Sequence, residues 1–123
     1  RSYERIGEGS HPPVFRLETH DCVLLGIRKV LSEPHLVATT FHISQGGEVT
    51  EWSVAENLLT MTIDIGRLAQ GEVWLALPSR PQAIFLNDEP LSVDKDKTVR
   101  GVAPGVWAIS LHLNQTGTLQ VTW

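Results

Sequence analysis

Residues 71–94 read GEVWLALPSRPQAIFLNDEPLSVD, and this stretch decides the fold. Val73, Leu75 and Leu77 alternate with Glu72, Trp74 and Ala76. A two-residue period places one set of side chains on a core and the other toward solvent. Pro78 and Pro81 bound a bend, a second apolar run follows over 83–86, and Asn87-Asp88 turns the chain into a third. Strand, bend, strand, turn and strand therefore follow one another within 24 residues.

The same alternation extends outward in both directions. Upstream, strands are expected over 14–19, over 22–30 (Val23, Leu25 and Ile27 on one side), over 36–43 and over 48–54. Gln45-Gly46-Gly47 reads as a hairpin turn between the last two. Residues 57–65 alternate most clearly, with Leu59, Met61, Ile63 and Ile65 on one face, and a short connection follows over 66–71. Downstream, 98–102 suits an edge strand after the charged bend at 94–97. Trp107, Ile109, Leu111 and Leu113 then share a face, and Asn114-Gln115-Thr116-Gly117 turns into a last strand with Leu119, Val121 and Trp123.

No run of residues carries a helical period, so an α/β reading is set aside. About ten short strands with regular turn signals predict an all-β domain, an antiparallel two-sheet β-sandwich. A sandwich is preferred to a closed barrel because several strands are short and bounded by proline, as sheet edges tend to be. Gly7, Gly9, Ser10, Pro12 and Pro13 mark residues 1–13 as a linker or N-terminal arm, which leaves 14–123 as the β-sandwich domain.

A chain of 123 residues suits one domain and can bury a core without staples. Cys22 is alone, which excludes an internal disulfide framework. A net charge of −4 with scattered Lys and Arg argues against nucleic acid and an anionic membrane as partners. No apolar run approaches the ~20 residues of a membrane helix. The chain does not start with Met, and its closing strand runs to the last residue, so a longer polypeptide extending upstream is expected.

Chemistry-bearing residues are few and dispersed. Asp64 and Glu72 flank the 66–71 connection and would approach each other if their strands paired as a hairpin, yet both alternate with core residues and belong on solvated faces. His20, Asp21 and Cys22 are adjacent and point to alternate sides of a strand, so they cannot converge on a metal. Gly7-Glu8-Gly9-Ser10-His11 lacks the strand before it and the helix after it that a phosphate loop or serine elbow requires. Asn114-Gln115-Thr116 fits a glycosylation acceptor and equally an ordinary turn. No catalytic residue, metal or cofactor is assigned.

Four tryptophans stand against three Phe and one Tyr. Trp107 and Trp123 share parity with aliphatic strings and belong in the core, and Trp52 shares it with Thr50 and Val54. Trp74 is out of phase with Val73, Leu75 and Leu77, so its indole lies on the opposite face. There it docks a neighbouring domain, is covered within this one, or stacks on a sugar.

With the strands placed, the chain resembles the C-terminal accessory β-sandwich of multidomain glycoside hydrolases of the α-galactosidase (melibiase or raffinose-synthase) kind. The resemblance rests on GEVWLALP (71–78) leading into PQAIFLNDEPL (81–91), with GVWAISL (105–111) and the closing GTLQVTW (117–123). Asp88 stands where such domains often carry Gly after the turn Asn. The resemblance implies a non-catalytic packing domain whose partner is the catalytic domain of the same polypeptide, docked over Trp74, Trp52 and Phe85. The alternative is a carbohydrate-binding module stacking an oligosaccharide on Trp74 or Trp52. An independent small enzyme is a third reading and would need convergent carboxylates or histidines in a cleft.

Overall fold

The computed structural model describes residues 14–42, 44–94 and 98–123. The linker expected at 1–13 and most of the 94–97 bend lie outside them. Seven strands occur among the described residues: β1 (His35–Thr39), β2 (Val49–Ala55), β3 (Leu58–Ala76), β4 (Ala83–Leu86), β5 (Glu89–Leu91), β6 (Val99–Ala103) and β7 (Val106–Thr122). Every pairing is antiparallel, and hydrogen bonds join all seven into one sheet of order β1-β3-β7-β4-β5, with β2 on β3 and β6 on β7. The all-β reading therefore holds, with seven strands in place of about ten.

Two of the missing strands are mergers. The stretches expected over 57–65 and 71–77 form the single 19-residue β3, and those over 105–113 and 117–123 form the 17-residue β7. The turn residues between them lie opposite each other. Asp64 pairs with Thr116 and Leu68 with Asn114, so Ile65, Gly66 and Arg67 face Gln115 alone. Gly66 and Gln115 both take φ near +70°. The turn chemistry is real, but here it makes a bulge, which bends the strand that carries it, and the pairing continues beyond it instead of reversing.

The bend divides the sheet. Its lower half contains β2, Leu58–Asp64 of β3, Thr116–Thr122 of β7, and the β4–β5 hairpin. Its upper half contains β1, Leu68–Ala76, Val106–Asn114 and β6. One core cluster draws on both halves: Leu59, Met61, Ile63, Ile84, Leu119 and Val121 from the lower, and Val73, Leu75, Val99, Ile109, Leu111 and Leu113 from the upper. Apart from Ile84, these are odd-numbered apolar positions, in keeping with the alternation. Trp107 and Trp123 pack partly buried against the same cluster.

Gln45-Gly46-Gly47 is a turn but not a hairpin. Gln45 N–H bonds the His42 carbonyl at 3.0 Å and Val49 N–H that of Gly46 at 3.1 Å. The strands on either side do not pair: β1 joins Val73–Ala76 and β2 joins Leu58–Ile63, at opposite ends of β3. Asn87 and Asp88 both have positive φ, the mark of a two-residue hairpin turn of the primed kind. The Asn87 side-chain carbonyl accepts from the Thr118 amide at 2.9 Å and clamps this hairpin to β7.

Candidate docking surface

The strands expected over 14–19 and 22–30 do not form; residues 14–34 run outside the sheet. Composition and alternation favour an extended chain there, but a strand also needs an edge to pair with. Among the described residues, no backbone hydrogen bond ties Cys22–Glu33 to another segment. The side chains of Val14, Phe15, Leu17, Val23, Leu24, Leu25, Ile27, Val30 and Leu31 are all exposed, Ile27 to 85%. Asp21 closes a small turn by accepting from the Glu18 amide and donating its own to the Glu18 carbonyl, both at 3.1 Å. His20 sits in that turn at φ 71°. Farther along, Arg28 donates to the Gln45 carbonyl, and Gly26 passes so close to the Gln45 side chain that a methyl group there would collide with it. The arm is thus moored at the turn that precedes β2.

The β2 strand itself has β3 on one side and, among the described residues, no strand on the other. Trp52 pairs with Met61 and Val54 with Leu59, so both point to the side of the sheet that carries the core. Both nevertheless remain exposed, at 38% and 39%. Phe85, also half-open, pairs with Gln120, which pairs with Thr60, which pairs with Ser53. It therefore lies on the opposite, polar face of the same half.

Trp74 occupies a third place. Its row runs Ala38, Trp74, Ala108 and Arg100 across the outer face of the upper half. The indole is 4% exposed and packs with Val37, Ala38, Val102, Ala103, Val106 and Ala108. Arg100 lies over the ring, its guanidinium carbon 5.8 Å from the centroid, and grips Glu72 with two bonds of 2.8 and 2.9 Å. The Trp74 N–H donates to the same carboxylate at 3.3 Å. Arg100 holds the Glu72 carboxyl below the usual glutamate range, against partial burial, which acts the other way. The indole is thus covered from within the chain. The three aromatic residues singled out in the sequence lie on three separate surfaces and form no common platform.

A cleft of about 360 Å³ lies between the turn before β2 and the bulge in β3 and is lined by His42, Ser44, Gly47, Glu48, Asp64 and Ile65. Sequence reasoning missed it, since no motif joins these residues. Glu48 is buried and accepts from the hydroxyls of Thr39 and Ser44. His42 Nδ1 accepts from the Ser44 amide at 3.1 Å, and Ser44 Oγ accepts from Gly47 N–H at 2.9 Å. A serine relay needs the imidazole between hydroxyl and acid; here the hydroxyl lies between imidazole and acid. The arrangement fixes the turn. Asp64 and Glu72 are not brought together: the first accepts from Thr116 and the second from Arg100. His20, Asp21 and Cys22 lie exposed on the arm, and no group of three potential metal ligands converges among the described residues.

Compared with protein-family models, with curated proteins and with solved structures, the chain matches none of them.

Proposed function

We propose that this chain is a non-catalytic packing module of a carbohydrate-active enzyme, docking against the catalytic domain of the same polypeptide. Its sheet folds over on itself as a sandwich, a reading supported by the single core cluster drawn from both sides of the bend. The observation that carries the docking reading is the arm: nine large apolar side chains exposed between Val14 and Leu31 on unpaired backbone. Large apolar side chains exposed in this number along one segment point to a site of association. The carbohydrate context comes from the resemblance of residues 71–91 and 105–123 to accessory domains of glycoside hydrolases. Trp74, already covered, leaves the docking role to the arm, to Trp52 with Val54, and to Phe85.

The test compares amide exchange of residues 14–31 in the dilute chain with that in the full-length polypeptide containing it. The expected result is free exchange in the first and protection in the second; equal exchange in both overturns the reading. The half-open indole of Trp52 favours a second reading, a sugar platform. Saturable quenching of tryptophan fluorescence by one of a panel of oligosaccharides, abolished in Trp52→Ala, would establish that reading in its place.

A further inference from the structure

The arm has the alternation of a strand but no sheet to join, and β2, among the described residues, has a strand on one side alone. We propose that the arm of one copy adds as an antiparallel strand to the β2 edge of a second copy, and reciprocally, in a two-fold strand exchange. The inference rests on the packing reading only in taking the arm for a docking element.

Side-chain chemistry selects the register. Setting Ile27 opposite Trp52 places Leu25 opposite Val54, both on the side that carries the core and both on residues now exposed. The same register sets Arg28 opposite Glu51 and Gly26 opposite Ser53 on the other face. Partners directly opposite in an antiparallel pair share a face, so this gives two apolar pairs on one face and an ion pair on the other. Charge agrees at this point of the register: Arg28 of the arm faces Glu51 of β2, with Lys29 next to it. The edge also lacks the proline and lysine that ordinarily block strand addition.

The mooring explains why the acceptor is a second copy. Arg28 is held at Gln45, six positions before Glu51 in its own chain. At ~3.3 Å per residue, Arg28 would have to move along its own chain by up to about 20 Å to reach that register on its own β2. A neighbouring copy is under no such restriction, and a two-fold arrangement satisfies both arms and both edges at once. Addition of a strand supplies the missing backbone hydrogen bonds, while alternate side chains set the register.

Light scattering after size exclusion, over a range of concentrations, is expected to show a monomer–dimer equilibrium. Arg28→Glu and Glu51→Arg are each expected to weaken the dimer severalfold, and the double exchange R28E/E51R to restore it. In a Cys22→Ser background, Leu25→Cys with Val54→Cys is expected to oxidise to a disulfide-linked dimer on a non-reducing gel. A chain that stays monomeric throughout overturns the exchange, as does a cross-link formed within one chain. A dimer that neither cross-links nor responds to the charge swap overturns the register. A monomer whose arm is nevertheless protected in the full-length polypeptide removes the exchange and leaves the packing module. A cross-linked dimer whose arm shows equal exchange in the chain and the full-length polypeptide does the reverse.

Discussion

Glu72 joins two side chains, Arg100 and Trp74, through one carboxylate, and its titration is legible as stability. Its pKa is lowered in the folded chain, chiefly by the Arg100 hydrogen bonds. The folded state therefore binds its proton less readily than the unfolded chain does, and the contribution is complete above the unfolded glutamate value of about 4.3. It is lost as pH falls through that value toward the lower folded one. Denaturation midpoints at pH 7 and pH 3 are expected to differ less in Glu72→Gln than in the parent. Arg100→Ala is expected to cost about 1 kcal/mol, since the pair is half in solvent and the guanidinium also covers an indole. Trp74 emission should shift to the red in that variant. Trp107 presents the opposite case, a buried indole N–H without a partner among the described residues. Trp107→Phe removes that orphan along with some apolar area, and urea titration should show a change of less than about 1 kcal/mol.

Among the elements, the β4–β5 hairpin and the arm make the clearest contrast. Asn87-Asp88 holds two residues at positive φ, a conformation that glycine adopts at lower cost than aspartate. Asp88→Gly is expected to raise stability by about 0.5 kcal/mol, read from the thermal midpoint. The turn was legible because its chemistry is local. The arm was not, because alternation of Val23, Leu25 and Ile27 reports what a strand would look like, whereas pairing depends on a partner outside the segment. The same limit hid the fate of residues 66–71 and 114–117. Glycine and Asn-Gln-Thr mark an irregularity in either event, and only the register across β3 and β7 turns it into a bend. Trp74 was placed on the correct face by parity, but its cover comes from Arg100 on a distant strand.

At the scale of the molecule, the alternating positions 59, 61, 63, 73, 75, 109, 111, 113, 119 and 121 form the core the sequence pointed to. Which strand pairs with which was out of reach, as β1 and β2 meet opposite ends of β3 after a turn that looks like a hairpin. The arm contributes none of its apolar side chains to that core. Removal of residues 1–33 is accordingly expected to leave the thermal midpoint within a few degrees while abolishing association. Met61→Ala, fully buried in the lower half, is expected to cost about 2–5 kcal/mol in the truncated and intact chains alike.

The bend in β3 has a consequence in counting. It inserts two residues relative to β7, an even number, so odd positions point inward on both sides of it. An odd insertion would turn one half inside out, exchanging Leu59, Met61 and Ile63 for Leu58, Thr60 and Thr62. One glycine added after Gly66 should therefore prevent folding, while two should be accepted at modest cost. The joint works as a hinge whose length is free and whose parity is fixed.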